Sequence, residues 1–127
     1  MGRRRSATLT DGELRLMRVL WGRGPSTVGD VLESLEGPEG PAYNTVLTMM
    51  RILERKGYVR HRKQGRAFVF DPVIDQSHAR RSALRHLLAR FFDNSPGSLV
   101  LNVLEHEQVP DAELAELRQL IALKAGQ

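Results

Sequence analysis

The chain contains no cysteine, which excludes disulfide bonds, thiolate nucleophiles and thiolate metal sites. Aromatic residues make up only 6% of it, and its single tryptophan, Trp21, is predicted to anchor a core. No apolar run approaches the roughly 20 residues that a membrane-spanning helix needs. We therefore expect a protein of the reducing cytoplasm with no membrane partner.

The patterns that mark common enzymes are also missing. The sequence has no phosphate-binding glycine loop and no nucleophile elbow. It has four histidines, and no two of them have the i, i+4 spacing of a helical two-histidine zinc site; they are His61, His78, His86 and His106. We predict that the protein is not an enzyme and needs no metal or cofactor. A histidine-based metal-responsive regulator stays open as an alternative.

The charge of the chain is divided unevenly along its length. Residues 1–70 contain 13 Lys and Arg against 7 Asp and Glu, whereas residues 71–127 contain 6 against 8. Such a basic half is typical of proteins that bind a polyanion. An arginine run, Arg3–Arg5, adds an N-terminal basic arm whose role the sequence leaves open.

The N-terminal half predicts three helices. Thr10 and Glu13 have the spacing of a capping box at the start of the first helix. Ser26, which follows a proline, is predicted to cap the second helix. The third is predicted over residues 43–56 and ends at Gly57, since glycine favours the left-handed residue that follows a helix.

A short β-hairpin is predicted directly after the third helix. Its strands cover residues 58–62 and 67–70, and Lys63–Arg66 forms the turn, with Gly65 able to take a positive φ. Between Arg51 and Arg66 there are seven Lys and Arg and one acid, Glu54. Three helices followed by a basic hairpin is the order of a winged helix-turn-helix, whose third helix enters the major groove. The predicted fold is therefore mainly α with a small β-hairpin. A winged-helix DNA-binding domain spans residues 1–72, and a helical dimerisation domain spans residues 73–127.

The third helix and the hairpin supply the candidate DNA contacts. Short polar side chains approach base edges, whereas cations hold phosphates without reporting the base sequence. The base-edge candidates are Asn44, Thr45 and Thr48, the phosphate candidates are Arg51, Arg60, Arg62, Lys63 and Arg66, and Tyr43 is assigned to the backbone or a thymine methyl. Two other interpretations stay open: an ordinary solvated helix face, and a winged-helix module that binds an acidic protein.

The C-terminal half predicts three more helices, over residues 77–92, from Ser95-Pro96 onward, and over residues 111–124. Three short helices with apolar faces cannot build a large core by themselves. We therefore predict a homodimer, which would match the two half-sites of a palindromic DNA site. The predicted interface residues are Leu84, Leu87, Leu88, Phe91, Leu99, Val100, Val103, Leu114, Leu117, Leu120 and Ile121.

Three stretches of the chain resemble the BlaI/MecI family of bacterial repressors, which control penicillinase and related genes. They are Leu9–Leu14 with the following Met17, Leu20 and Trp21, then Thr45–Val59, and finally Ser98–Asn102 with Glu113–Leu117. The resemblance implies a homodimeric transcriptional repressor that binds a palindromic operator and is inactivated by a protease. The cut would fall between Asn102 and Val103, where the family usually has an aromatic residue after the asparagine.

Overall fold

The computed structural model describes residues 8–35 and 40–127, and the Arg3–Arg5 arm lies outside them. The chain divides into two compact units, a first unit that ends at His86 and a second unit, Leu87–Gln127. The predicted boundary after residue 72 differs from this division, since residues 73–86 group with the first unit. The elements are α1 (Asp11–Arg23), α2 (Val28–Ser34), α3 (Tyr43–Lys56), β1 (Val59–Gln64), β2 (Ala67–Pro72), α4 (Gln76–Phe91), α5 (Pro96–His106) and α6 (Asp111–Ala125). A mainly α fold with one antiparallel hairpin is confirmed.

Hydrogen bonds from side chains cap the N-termini of α1 and α2. The Glu13 backbone N–H donates to the Thr10 hydroxyl at 3.1 Å, and the Thr10 N–H donates to the Glu13 carboxylate at 3.0 Å. This capping box was predicted, and a second one, between Thr27 and Asp30, starts α2. The prediction that Ser26 caps α2 was wrong. The Ser26 backbone instead exchanges hydrogen bonds with Phe70 of β2, at 2.8 and 3.1 Å, and so forms an isolated β-bridge beside the hairpin.

The core of the first unit lies among α1, α2, α3 and the base of the hairpin. Its members are almost fully buried aliphatic and aromatic side chains: Leu16, Met17, Leu20, Val28, Val31, Leu35, Val46, Met50, Leu53, Tyr58, Val59 and Phe70. Trp21 packs at the edge of this cluster and is only partly buried. Its indole N–H donates to the Ile74 carbonyl at 2.9 Å, which ties the segment after β2 to α1.

Two glycines shape the path from α3 into the hairpin. Gly57 ends α3 with a φ of 89°, in the left-handed region that glycine occupies at low cost. Gly65 has a φ of 63° and, with Arg66, forms a two-residue turn between the paired Gln64 and Ala67. The turn is shorter than the four residues predicted because β1 continues to Gln64, and β2 runs two residues past its predicted end at Phe70.

The second unit differs from the first in having no interior. Ser95 caps α5 as predicted, accepting a 3.1 Å hydrogen bond from the Ser98 N–H, and Pro96 occupies the first turn. No residue from Leu87 to Gln127 is buried.

Across residues 8–35 and 40–127, no helix is long and apolar enough to cross a membrane.

Candidate nucleic-acid interface

The two faces of α3 have opposite character. Val46, Met50 and Leu53, spaced i, i+4 and i+7, are completely buried and hold the helix against the core. Asn44, Thr48, Arg51 and Arg55 are exposed. Each of them lies two positions before or after one of the buried residues, so these four side chains line the opposite face of the helix. We call these four residues the α3 stripe. Packing of the hydrophobic face therefore orients the α3 stripe toward solvent.

The remaining predicted residues of α3 flank this stripe. Tyr43 is 54% exposed and Thr45 is exposed, one on each side of it. Arg55 continues the stripe toward the C-terminus, although it was not among the predicted contacts. The i, i+4 and i+7 spacing from Asn44 and Thr48 is the sequence signal that would have identified it.

The N-terminus of α3 differs from those of α1 and α2. Ala42 occupies its N-cap position and has no side chain that can accept a hydrogen bond, whereas threonines cap the other two helices. The first turn of α3 contains no acid. The free N–H groups and the positive end of the helix dipole favour an anion there, and a phosphate has the required charge.

The hairpin, which we call the wing, is attached to α3 through a histidine. His61 Nδ1 lies 2.8 Å from Glu54 Oε1, and the His61 backbone N–H donates to Glu54 at 3.2 Å. The rings of His61 and Phe68 also pack in a T-shaped arrangement, with 5.2 Å between their centroids. Because one carboxylate binds both the backbone and the ring of His61, the wing has a defined position beside the α3 stripe.

The basic residues of the wing are distributed over both faces of the hairpin. Cross-strand partners share a face, and Lys63 pairs with Phe68 whereas Arg60 pairs with Asp71. Arg66 lies in the turn between the strands. All three cations are exposed. A polyanion on either face of the wing, or at its tip, would therefore meet positive charge.

Only some of the cations between Arg51 and Arg66 are balanced by acids. Lys56 contacts Glu13 at 2.6 Å, and Arg62 contacts Asp71 at 3.0 Å. Arg62 also donates to the Gln64 side chain, so this predicted phosphate contact already has partners within the wing. Among the residues that the structure describes, the others form no ion pair; they are Arg51, Arg55, Arg60, Lys63 and Arg66.

The pair formed by Glu13 and Lys56 connects α1 with the C-terminal end of α3. Burial raises the pKa of the Glu13 carboxyl, but the hydrogen bonds from Lys56 and Thr10 outweigh burial and leave that pKa below its ordinary value. The carboxylate is thus charged at neutral pH, and it balances the positive charge of Lys56. Lys56 therefore fixes α3 against α1 and leaves the contacts with an anion to its neighbours.

A second concentration of basic residues, on α4, was not predicted from the sequence. The helix contains four arginines and two histidines without a single acid: Arg80, Arg81, Arg85, Arg90, His78 and His86. None of these side chains forms an ion pair within the part of the chain that the structure describes. Counting charge over the whole C-terminal half concealed this helix, because the acids of α5 and α6 cancel it.

The predicted dimerisation residues lie on α4, α5 and α6, and none is buried. Seven are exposed, namely Leu84, Leu87, Phe91, Val100, Val103, Leu120 and Ile121, and four are partly buried, namely Leu88, Leu99, Leu114 and Leu117. On α5 and α6, three further large apolar residues are exposed and were not predicted: Leu101, Leu104 and Leu123. Asn102 and Val103 lie inside α5, where the Asn102 carbonyl is 3.0 Å from His106 Nδ1.

Within residues 8–35 and 40–127, no three His, Cys, Asp or Glu side chains cluster as metal ligands would.

Comparison with known proteins connects this geometry to one family. The profile described as "Penicillinase repressor" matches residues 9–123. The chain is 34% identical over 113 residues to the penicillinase repressor of Bacillus licheniformis, covering 89% of this chain and 88% of that protein. It is 21% identical over 116 residues to the methicillin resistance regulatory protein MecI of Staphylococcus aureus (strain N315), covering 91% and 94%.

A solved structure gives the same result for part of the chain. The solution structure of the DNA binding domain of the repressor BlaI aligns with a TM-score of 0.51 at 32% identity, covering 61% of this chain and 93% of that domain. The family profile spans most of the chain, including the second unit. The chain therefore belongs to the penicillinase repressor (BlaI/MecI) family of bacterial DNA-binding transcriptional repressors.

Proposed function

We propose that the protein is a homodimeric repressor that binds a palindromic operator in the bacterial cytoplasm. The observation that carries this proposal is the α3 stripe, which lies opposite the buried face of the helix and beside the cations of the wing. A polar helix face next to free cations suits the major groove of DNA and its flanking phosphates. The target genes would be found by genome-wide footprinting of the bound sites.

Base recognition is assigned to the first two turns of α3. Asn44, Thr45 and Thr48 are exposed and short enough to approach base edges. Tyr43, at the uncapped start of the helix, is assigned to the sugar–phosphate backbone or a thymine methyl. These residues would set the operator sequence.

Attachment is assigned to the cations around them. Arg51, Arg60, Lys63 and Arg66 have no ion pair among the described residues, so they can neutralise phosphates without first losing a partner. Arg62 is kept in this group with a smaller expected contribution, since Asp71 already balances its charge. Binding through this group should depend strongly on salt.

Dimerisation is assigned to the second unit and the end of α4. Phe91, Leu101 and Leu123 are each more than 60% exposed, and a lone chain would leave these large apolar side chains in water. A second copy is the simplest cover, because closed twofold homodimers are the most common oligomers of soluble proteins. Two copies would present two α3 helices to two half-sites.

Inactivation by a protease is proposed at the bond between Asn102 and Val103. Both residues are exposed, but they lie within the regular helix α5. Because a helical segment must open locally before it is cut, the cleavage rate should follow the opening of α5. A cut there would separate α6 from the rest of the proposed interface.

The proposal is tested by titrating labelled operator duplexes at 50 and 200 mM salt. A protein that makes 6–10 phosphate contacts should lose roughly 10³- to 10⁵-fold in affinity between these conditions. Thr48→Ala should relax the preference for operator over random duplex. Lys63→Ala should weaken both duplexes alike and reduce the salt dependence.

Arg118→Ala serves as the matched control, because Arg118 is an exposed arginine of α6 and is not among the proposed DNA contacts. It should change neither the affinity nor its salt dependence. If Thr48→Ala and Lys63→Ala acted identically on operator and random duplexes, the division of roles would be wrong. If the wild-type protein bound no duplex even at low salt, a winged-helix module for acidic proteins would be favoured instead.

A further inference from the structure

A cavity of about 240 Å³ lies in the first unit between α1 and the beginning of α4. Leu9, Leu14 and Trp21 line it on the side of α1, and Ala79 and Ala83 line it on the side of α4. The cavity exists because α4 faces α1 with two alanines, whose methyl groups do not fill the space beside the indole. Its lining includes none of the four residues of the α3 stripe, and the proposed repressor function does not use it.

The indole of Trp21 is fixed in the wall of this cavity. Its N–H already donates to the Ile74 carbonyl at 2.9 Å, so the polar edge of the ring has a partner. The rest of the ring is left as an apolar surface. An aromatic or aliphatic group placed against it would gain contact without competing for that hydrogen bond.

Two arginines also line the cavity. Arg18 of α1 and Arg80 of α4 are both exposed, and neither forms an ion pair or side-chain hydrogen bond among residues 8–35 and 40–127. A guanidinium presents several N–H donors in a plane and pairs well with a carboxylate. Apolar walls with cations beside them fit a ligand that has an apolar body and one negative end.

The volume restricts the size of such a ligand. A dry cavity of about 150 Å³ can hold benzene, and drug-sized ligands need roughly 300–1,000 Å³. At about 240 Å³, the cavity suits one ring or a short aliphatic chain with a carboxylate. We propose that it binds a small aromatic or aliphatic carboxylic acid as the anion, with the apolar part against Trp21 and the carboxylate on Arg18 and Arg80.

The test uses the full-length chain and its only tryptophan, which lines the site. Titration with benzoate, followed by Trp21 fluorescence, should give a saturable change. Benzamide has the same ring without the charge and should bind at least about tenfold more weakly, since it lacks the charge-assisted contacts. Arg18→Gln and Arg80→Gln should each weaken benzoate binding by about tenfold or more.

Two further variants separate this site from general effects. Ala83→Leu should fill the cavity and abolish the benzoate response, provided that its circular dichroism matches that of the wild type. Arg85→Gln removes an arginine of α4 that does not line the cavity, so it should leave benzoate binding unchanged. The Arg18 and Arg80 variants keep the proposal testable if Ala83→Leu fails to fold.

The proposal is overturned if benzoate gives no saturable change, if benzamide binds as tightly, or if both Arg18→Gln and Arg80→Gln bind benzoate like the wild type. Because the measurement needs no DNA, its failure would leave the repressor function untouched. Failure of operator binding would equally leave this site intact.

Discussion

The first unit and the second unit contain similar kinds of apolar residues but use them differently. In the first unit, side chains from three helices and a hairpin meet, and Met17, Leu20 and Leu53 lose all contact with solvent. In the second unit, Leu101, Ile121 and Leu123 remain more than half exposed. The difference shows that helical periodicity alone does not indicate whether an apolar face is covered by its own chain or needs another molecule.

The units also differ in the chemistry of their surfaces. The α3 stripe and the wing belong to the first unit, where the internal core holds them in place. Exposed apolar side chains dominate the proposed dimer surface on the second unit. DNA contact is thus proposed on the unit that has a core of its own, and dimerisation mainly on the unit that has no buried residue. The following predictions test this contrast in order of decreasing effect.

The largest effect is expected from removing a core side chain of the first unit. Leu53→Ala should lower the free energy of unfolding by about 2–5 kcal/mol, because it leaves a cavity in a closely packed region. The measurement is urea unfolding followed by Trp21 fluorescence. Val73→Ala is the matched control: Val73 is 55% exposed and belongs to neither proposed surface, so this unfolding should change by less than about 0.5 kcal/mol. Equal losses for both variants would mean that burial in the core does not set the stability of the first unit.

A charge on the exposed face of α6 should act on assembly instead. Ile121→Asp should weaken self-association at least about 100-fold, since a carboxylate would be buried without a partner in the proposed interface. Analytical ultracentrifugation over a range of concentrations would measure it, and Glu113→Gln on the same helix is the control. A wild-type chain that stays monomeric, or an Ile121→Asp chain that stays dimeric, would contradict the proposed interface.

A smaller effect is expected at the carboxylate that joins α1 to α3. Glu13→Gln should lower the free energy of unfolding by about 1–2 kcal/mol at pH 7, because it removes a charge-assisted contact with Lys56. Folding lowers the pKa of Glu13 below the ordinary 4.5, so its contribution is complete above that pH and disappears as the pH falls through the folded value. The gap between wild type and variant should therefore close in acid. Glu33→Gln, at a side chain that is 71% exposed, should show no comparable gap.

The smallest effect is expected in the turn of the wing. Gly65→Ala places a Cβ on a residue with a φ of 63°, which costs about 1 kcal/mol even though no atom lies within 4 Å of that position. Hydrogen exchange of the wing amides should report faster local opening, while the core amides should stay unchanged. Arg66→Ala in the same turn is the control and should leave the exchange rates near those of wild type.

Three predictions that depended only on neighbouring residues are confirmed. The Thr10 and Glu13 capping box, the left-handed Gly57 and the Ser95 cap each involve hydrogen bonds or dihedral angles within a few residues, so the local sequence contains the information. The buried residues of α3, Val46, Met50 and Leu53, likewise repeat at the i, i+4 and i+7 spacing of one helix face. Once that face was known, the positions of Asn44 and Thr48 on the opposite face followed from helix geometry.

Predictions that depended on contacts between distant segments failed or were absent. Ser26 has the chemistry of a cap, but its backbone pairs with Phe70 in an isolated β-bridge beside the hairpin. The ion pair between Arg62 and Asp71 was not predicted. Nothing in the local sequence links Lys56 to Glu13, 43 positions away, or predicts the cavity between α1 and α4.

The sequence by itself therefore determined the order of elements, the caps, the two faces of α3 and the concentration of cations between Arg51 and Arg66, because all of these arise from short-range spacing and composition. Only the tertiary structure decided which cations are balanced by acids, how Glu54 and His61 attach the wing, and which apolar faces remain uncovered. Those outcomes depend on which side chains meet across the fold, and such meetings follow from packing in three dimensions rather than from proximity along the chain.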